Sequence, residues 1–352
     1  MMGKIFILLS IVSFQAIELM AQCPPIDSIR GNIFQYTASA DFENSKSPDL
    51  LLRFRDKLLQ CGYQRDSVYN VLLKRITVWY KRHGNFSEAA RFLEQSIAIT
   101  KLNTKESLVN NDLIKGYYWL SVFYDSLNHI AAKIKAIDSC LAISNRMNYP
   151  YDGSSLRCLL LRLQYFYDIG EYKLCINDAE ACEKKAVEYS KTVSDPISKN
   201  AGKDIAQSSF HWHINALLRL KEFLEAEKLL STKTAEYKKN GDKNYLALTY
   251  AQFAEVYEEK GDYQQSLVYF NLALKIYREN KNAFNSKQTL RNIGEAIFFT
   301  HFKDYDKALF YFKDALTCIN HEDVWNKEDS VESLSLFGNI ANVYVQKKLF
   351  DS

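Results

Sequence analysis

Residues 246–277, LALTYAQFAEVYEEKGDYQQSLVYFNLALKIY, give the clearest indication of the fold. On both sides of a Gly-Asp-Tyr turn, the apolar residues recur three and four positions apart, which is the spacing of one face of an α-helix. These residues are Tyr250, Phe253, Ala254 and Tyr257 before the turn, and Ser266, Phe270 and Ala273 after it. Two short amphipathic helices of this kind bury their apolar faces only against neighbouring units. The stretch therefore predicts one unit of a helical repeat.

The same pattern recurs about every 42 residues along the chain. One bulky residue closes the first helix of each unit: Tyr80, Tyr124, Phe166, Leu217, Tyr257, Phe299 and Tyr344. A second bulky residue follows after a short turn: Phe86, Ile130, Tyr172, Phe223, Tyr263, Tyr305 and Phe350. Strand-type alternation is hard to find. We therefore predict an all-α fold in which residues 68–352 form about six complete repeats and a truncated seventh.

The turns between the predicted helices carry helix-stop signals. Three of them place glycine where a helix ends in a left-handed cap, namely Gly84, Gly170 and Gly261. The turns at Lys221 and Lys303 lack glycine, so we expect a tighter or slightly strained backbone there. Between residues 183 and 207, proline and glycine turn signals predict a longer connection with a mobile middle.

The pattern of residues 246–277 resembles the tetratricopeptide repeat, in which Tyr closes the first helix and Gly, Asp and Tyr fill the turn. The best match runs from Tyr250 to Ala273, and a looser one runs from Leu290 to Ala315 with about two extra residues at its turn. The usual unit has about 34 residues, so the longer period is similar to that of kinesin light chain. The resemblance implies a right-handed α-solenoid of antiparallel helix pairs. Val78 stands where carboxylate-clamp members have Asn, so that arrangement is not implied.

Residues 1–21 have the pattern of an export signal. Lys4 supplies the positive charge, residues 5–14 supply the apolar segment, and Ala21 supplies a cleavage site. We predict cleavage after Ala21 and a periplasmic or extracellular location in a bacterium. The alternatives are an uncleaved anchor and a lipid-modified Cys23. Beyond this signal, no segment of the sequence is long and apolar enough to cross a membrane.

Residues 22–67 are predicted to form a helical lid on the first repeat. Its helices are expected at residues 26–36 and 50–61, with Asp49 capping the second. A disulfide is possible between the two cysteines that flank the lid, Cys23 and Cys61. The other five cysteines stand at spacings that do not suit a structural zinc site.

A second resemblance concerns the arrangement of the whole chain. An exported chain with Gln-Cys-Pro-Pro near residue 22 and Cys61-Gly62-Tyr63 before its first repeat looks like bacterial proteins that carry these repeats ahead of a CHAT domain. CHAT domains are caspase-like, and no such domain matches within this chain. The resemblance implies an alternative function, the regulatory arm of a peptidase or signalling protein whose active domain lies beyond Ser352. The truncated seventh repeat, which stops at Ser352 where its second helix is expected to begin, predicts that the chain is a fragment.

Composition and motifs favour binding over catalysis. The chain is 47% hydrophobic and 25% charged, as in ordinary soluble proteins, and its net charge of +3 is too small to favour nucleic-acid binding. His211 and His213 are two residues apart on a predicted helix, so they point away from each other and do not suit a shared metal; we expect His213 to pack at the helix crossing and His211 to face the groove. Gly-rich phosphate loops and nucleophile elbows are absent from the sequence. We predict no catalytic, cofactor or metal site.

The resemblance implies that the first helix of each repeat lines a groove that binds a protein or an extended peptide. Polar and aromatic residues between the packed positions are the candidate contacts: Lys74, Lys81, Arg82, Lys115, Tyr118, Arg157, Gln164, Tyr167, His211, Asn215, Glu255 and Glu258. This series is basic toward its N-terminal end and acidic past its middle, which suits a segment of matching polarity. An ordinary solvated surface is the alternative interpretation.

Overall fold

The computed structural model describes residues 23–39, 42, 44–102, 106–147, 152–319 and 327–350. The predicted export signal lies outside the described residues. The described residues form α-helices and one π-helical segment, and no strand is among them. In chain order the helices are α1 (Ile26–Thr37), α2 (Asp49–Gln60), α3 (Ser67–Arg82), α4 (Phe86–Lys101), α5 (Glu106–Ser126), α6 (Ile130–Arg146), α7 (Gly153–Asp168), α8 (Tyr172–Thr192), α9 (Pro196–Arg219), α10 (Phe223–Asn240), α11 (Lys243–Glu259), α12 (Tyr263–Glu279), α13 (Ala283–Asn292), the π-helix (Ile293–His301), α14 (Tyr305–Thr317) and α15 (Lys327–Phe350).

The repeat markers coincide with the helix boundaries. In six units the second bulky residue of the pattern is the first residue of the second helix, from Phe86 of α4 to Tyr305 of α14. The all-α class and the paired helices are therefore confirmed. The seventh unit differs, because α15 runs unbroken to Phe350, and the turn predicted between Tyr344 and Phe350 is wrong. On α15, the side chains of Phe337 and Tyr344 are more than half exposed.

The turn chemistry follows the sequence closely. Gly84, Gly170 and Gly261 all have positive φ angles of 71° to 82°. Lys221 and Lys303 adopt the same left-handed conformation, with φ angles of 60° and 53°. A side chain with a Cβ makes this conformation costly, so the strain expected at the turns without glycine is confirmed.

The mobile connection predicted between residues 183 and 207 is wrong. Helix α8 continues to Thr192, and α9 already begins at Pro196. The Asp195 carboxylate accepts a hydrogen bond from the Ser198 backbone N–H at 2.8 Å and so caps α9. Gly202 lies inside α9, where a Cβ would come within 3.0 Å of the Ser190 Cβ atom. Pro196 therefore marks the start of a helix, and Gly202 allows two helices to cross closely.

The extra length of the sixth repeat lies within its first helix. Residues 293–301 form a π-helix, in which Phe302 N–H donates to the Ile297 carbonyl oxygen at 2.9 Å. A π-helical turn contains more residues than an α-helical turn, so the extra residues predicted for the loop of this repeat lie in the helix instead. Gly294 packs against the second helix of this repeat, since a Cβ there would lie 2.8 Å from Phe312 Cε1.

The chain groups into two compact units, which we describe separately. Unit 1 comprises residues 1–162 and 184–206, and unit 2 comprises residues 163–183 and 207–352. In unit 2, a core of buried aromatic and aliphatic side chains joins α12 to α15; its fully buried members include Phe270, Leu290 and Phe312.

In unit 1 the lid shares one core with the first repeat, because Ile33 and Leu51 pack with Leu72 and Phe92. Cys23 and Cys61 form a disulfide whose partners are 38 residues apart. The cap predicted at Asp49 is wrong, because Pro48 holds the cap position and Asp49 is the first helical residue. Whether residues 22–67 act as a separate domain stays a prediction.

Candidate functional site

Three consecutive helices of unit 1 enclose a pocket of about 240 Å³. Each helix contributes one face, because the lining residues recur at helical spacing on α3, α4 and α5. The lining residues are Lys74, Thr77, Val78, Lys81, Leu93, Ser96, Ile97, Thr100, Asp112, Lys115, Gly116, Trp119 and Phe123. Three of the predicted contact residues, all lysines, thus lie around one cavity.

The floor of the pocket is apolar. Leu93, Ile97 and Phe123 are buried side chains that form it. Gly116 keeps the space open, since a Cβ there would come within 2.9 Å of Ile97 Cγ1. An apolar floor without a competing side chain is the usual feature of a ligand pocket.

The hydroxyl groups around the floor already have partners. Thr77 Oγ1 donates to the Leu73 carbonyl oxygen at 2.9 Å, and Thr100 Oγ1 donates to that of Ser96 at 2.8 Å. The Asn70 side chain lies between two hydroxyls, because its amide donates to Thr100 Oγ1 and its oxygen accepts from Ser96 Oγ. A bound ligand would therefore make mainly van der Waals contacts with these groups.

The rim of the pocket is cationic. Lys74 Nζ forms an ion pair with Asp112 at 2.7 Å. Lys81 Nζ lies 3.7 Å from the centroid of the Trp119 ring, which is a cation–π contact. Lys115 is exposed, and neither Lys81 nor Lys115 forms an ion pair with another residue in the described part of the chain. The rim therefore carries a net positive charge.

The other contact residues predicted in unit 1 lie outside this pocket. The Arg82 guanidinium lies 5.6 Å from the centre of the Phe42 ring, so it faces the lid. Arg157 lies 6.0 Å from the centre of the Tyr118 ring. Burial raises the pKa of Tyr118, so its phenol stays protonated at neutral pH. The structure thus separates the three lysines from these residues.

In unit 2 the predicted residue Tyr167 is held by its neighbours. Arg219 Nε donates to the Tyr167 hydroxyl at 3.0 Å, and the Trp212 ring meets it edge-on with centroids 4.9 Å apart. Gln164, on the same helix α7, is half-buried. Both side chains are partly accessible.

His211 and Asn215 form a polar cluster with a residue that the sequence did not point to. Asn215 Nδ2 lies 3.0 Å from His211 Nε2, and Gln252 Nε2 lies 3.2 Å from His211 Nδ1. Burial lowers the pKa of His211, so the ring is neutral and has one N–H group. One amide must then present its oxygen. Gln252 Oε1 is buried without a partner in the present orientation, so turning this amide over would place an acceptor against Nδ1–H.

Glu255 and Glu258 form an acidic surface on α11. Burial, and to a smaller extent the nearby carboxylate of Glu258, raises the pKa of Glu255 to about 7. The pKa of Glu258 is also raised, first by burial and then by Glu259 and Glu295. When these carboxyl groups are ionised, the surface has a charge opposite in sign to that of the rim of the unit 1 pocket.

We expect Glu255 to make unit 2 less stable as the pH rises. The pKa of Glu255 in the folded protein lies above the value near 4.5 of the free group. The folded state therefore binds the proton more tightly than the unfolded state, and the free energy of unfolding falls as the pH rises from about 4.5 to about 7. Glu255→Gln should remove this dependence and raise the free energy of unfolding at pH 8 by about 1–2 kcal/mol. Urea unfolding at pH 5 and pH 8 measures it, with hydrogen exchange of the α11 and α12 amides used to follow unit 2 separately. Glu259→Gln, at an exposed position on the same helix, is the control, and equal pH slopes in all three proteins would contradict the prediction.

The described residues contain neither a cluster of metal ligands nor a helix that could span a membrane. Within that part of the chain, His, Cys, Asp and Glu side chains do not gather in threes that could hold a metal ion. None of the described helices is both long enough and apolar enough to span a bilayer.

The comparisons with known proteins concern the repeats and the fold. Residues 245–320 match the sequence profile of the tetratricopeptide repeat. No curated protein is detectably similar to the chain. Among solved structures, the apo form of RapI is 15% identical, with 93% of this chain and 88% of that chain covered and a TM-score of 0.54.

A tetratricopeptide repeat protein from Parabacteroides merdae is 14% identical, with 88% of this chain and 98% of that chain covered and a TM-score of 0.50. Repeats of a putative kinesin light chain from Podosopora anserina are 17% identical, with 60% of this chain and 95% of that chain covered and a TM-score of 0.46. At these identities the likeness concerns the fold alone. The likeness to the RapI and Parabacteroides merdae structures confirms the α-solenoid fold predicted from the sequence, and residues 245–320 are similar to tetratricopeptide repeats.

Proposed function

We propose that the chain is a non-catalytic scaffold that binds an extended segment of another protein, and that the pocket of unit 1 takes the anchoring side chain of that segment. The tetratricopeptide fold is generally a fold for binding proteins or peptides. The observation that carries the proposal is the combination in one cavity of an apolar floor and a rim of three lysines.

The floor favours a bulky apolar side chain. Leu93, Ile97 and Phe123 leave a cavity without an unpaired hydroxyl at its base. Burying a Leu or Phe side chain stabilises a complex by about 1.5–3 kcal/mol. Such an anchor supplies more binding free energy than any single exposed ion pair, which contributes about 0.2–1 kcal/mol.

The rim favours acidic neighbours on either side of that anchor. Lys74 is already paired with Asp112, whereas Lys81 and Lys115 keep ammonium groups for a guest. A carboxylate next to the apolar side chain would reach one of these two lysines. The partner segment is therefore an extended stretch in which a Phe or Leu is flanked by Glu or Asp.

Peptide binding tests this proposal. The probe is a fluorescein-labelled peptide, Gly-Ser-Glu-Glu-Phe-Glu-Glu-Ser-Gly, titrated with the full chain and followed by fluorescence anisotropy. We expect saturable binding that weakens strongly when Ser replaces Phe, and also when Gln replaces the four Glu. Equal binding of all three peptides, or of none, would show that the pocket does not select this chemistry.

Reversing the charge of the rim should weaken the same interaction about 10-fold. The double change Lys81→Glu and Lys115→Glu removes two attractions of about 0.2–1 kcal/mol each and adds repulsion, and 1.4 kcal/mol corresponds to a factor of ten. The control is Arg75→Glu with Lys135→Glu, two exposed residues outside the pocket lining. Adding Lys74→Glu should weaken binding further, whereas Arg82→Glu should not, because Arg82 faces Phe42. If the control variant lost as much affinity, the effect would be one of net charge alone.

We further propose that the chain is exported before it acts. Support comes from the signal pattern in residues 1–21 and from the Cys23–Cys61 disulfide, since such bonds persist in oxidising compartments. N-terminal sequencing of the secreted product should show Gln22 first. A product that begins at a lipid-modified Cys23, or that keeps Met1, would contradict cleavage after Ala21. The peptidase-arm hypothesis stays a prediction, which the gene sequence downstream of Ser352 tests.

A further inference from the structure

Two thiols meet between helices α6 and α7 of unit 1. Cys140 on α6 and Cys158 on α7 are both fully buried. The Cys140 thiol lies close enough to Cys158 to raise the pKa of that thiol. Neither cysteine belongs to the pocket or to the disulfide of the lid.

The contacts on either side of the thiols show why they face each other. At one end of the seam, Asp138 forms an ion pair with Arg162 at 3.7 Å. At the other end, Ser144 Oγ lies 2.6 Å from Ser155 Oγ. The partners run in opposite directions along the chain, so the two helices are antiparallel, and Cys140 and Cys158 lie in register between these two pairs.

The side chains that line the seam are small. Ser144, Ser155 and the two cysteines are all buried at the contact. Small side chains let helices approach closely, and a disulfide requires Cα atoms only about 4.4–6.8 Å apart. The seam thus has the composition that a cross-helix bond requires.

The other free cysteines have different surroundings. The Cys175 sulfur lies 4.0 Å from the Trp212 carbonyl oxygen, and that of Cys318 lies 3.8 Å from the Asp314 carbonyl oxygen. Cys182 is hydrogen-bonded to Ser209. Among the five free cysteines, which all lie in described segments, Cys140 and Cys158 stand apart because they are two buried thiols in register across one helix contact.

We propose that Cys140 and Cys158 form a second disulfide, which joins α6 to α7 when the chain folds in the presence of a disulfide oxidant. The Cys140 thiolate attacks the oxidant, for example oxidised glutathione, and forms a mixed disulfide while one glutathione thiolate leaves. The Cys158 thiolate then attacks the Cys140 sulfur and releases the second glutathione. Two thiol protons and two electrons leave the protein, and the oxidant becomes two thiols.

The bond should form during folding and only slowly afterwards. The nearby Cys140 thiol and burial both raise the pKa of Cys158, so the folded protein holds little of the reactive thiolate. In the unfolded chain both thiols are exposed and only 18 residues apart in sequence, so closure is fast. Folded, reduced protein should therefore resist the same oxidant.

The bond would lie behind the helix that forms one wall of the pocket. Ser121 on α5 lies close enough to Cys158 to lower the pKa of that thiol. Gly116, Trp119 and Phe123 line the pocket from the same helix. A disulfide at Cys158 would hold α7 in place beside α5, the helix that forms one side of the pocket. We therefore expect the disulfide to raise the thermal midpoint of unit 1.

Refolding with oxidised glutathione tests the proposal without any variant. The reduced full chain is refolded from guanidinium chloride with and without the oxidant, alkylated under denaturing conditions and mapped by non-reducing mass spectrometry. We expect a cross-linked peptide pair containing Cys140 and Cys158, lighter than the free pair by two hydrogen atoms. The Cys23–Cys61 link is the internal standard for complete oxidation. Cys140→Ala should abolish the new link, and the double variant Cys175→Ala with Cys182→Ala should keep it.

Two results would overturn the proposal. One is a Cys23–Cys61 link that forms fully while Cys140 and Cys158 both carry the alkyl group. The other is a stable glutathione adduct on either residue, which would show that the second thiol cannot reach the first. Either result is obtained on the unmodified chain and is independent of peptide binding.

Discussion

Removing the Cys23–Cys61 disulfide is expected to lower the free energy of unfolding of unit 1 by about 2–4 kcal/mol. The bond closes a segment with a sequence separation of 38 residues that contains both lid helices. Without the disulfide, the unfolded chain gains conformational entropy, whereas the folded lid gains little. The unfolded state is therefore favoured. The lid packs Ile33 and Leu51 into the core of the first repeat, so its loss should also loosen α3.

The double variant Cys23→Ser with Cys61→Ser tests this expectation. Hydrogen exchange is the suitable measurement, because a chain with two units need not unfold in one step. Amides of α1 to α3 should lose protection, while those of α11 to α14 in unit 2 keep theirs. The matched control is Cys175→Ala with Cys182→Ala, which removes two cysteines and no disulfide. Unchanged protection in α1 to α3 would contradict the structural role of the bond.

Gly294→Ala is expected to destabilise unit 2 by about 1–3 kcal/mol. The new Cβ would lie 2.8 Å from Phe312 Cε1 and 3.3 Å from the Ala308 carbonyl oxygen. Phe312 is 1% exposed and packed in the core, so its ring cannot move aside without displacing neighbours. The π-helix and α14 would have to separate.

The matched control for this change is Gly338→Ala on α15, where a Cβ meets no atom within 4 Å. Alanine stabilises an open helical position by up to about 1 kcal/mol relative to glycine. The two substitutions should therefore change the thermal midpoint in opposite directions. If Gly294→Ala were as stable as the wild type, the close crossing of the π-helix and α14 would be wrong.

The repeat pattern was strong enough to predict most helix boundaries. Bulky residues such as Phe86 and Tyr263 mark the first turn of the second helices, and each contacts the first helix of the next repeat: the ring centres of Phe86 and Phe123 are 6.0 Å apart, and those of Tyr263 and His301 are 3.5 Å apart. Local signals failed where packing competes with them. Pro196 and Gly202 suggested a loop, yet the contact of Gly202 with Ser190 stabilises one long helix.

The candidate site was only partly predictable. The lysines of the rim follow from their positions between packed residues, since exposure alternates regularly along a helix. Asp112, Trp119 and Gln252 were missed, because their roles depend on which side chains of neighbouring helices they meet. Trp119 could have been identified from the sequence, because it is a large aromatic residue at a position that the repeat pattern does not place in the core.

The crystal structure of the chain with the Gly-Ser-Glu-Glu-Phe-Glu-Glu-Ser-Gly peptide is the most direct test of the proposed binding site. We expect the Phe ring of the peptide inside the pocket, in contact with Trp119 and Phe123. We also expect a Glu carboxylate of the peptide within 4 Å of Lys81 or Lys115 Nζ, the range of an ion pair. A peptide bound elsewhere on the chain, with the pocket left to solvent, would contradict the proposed site.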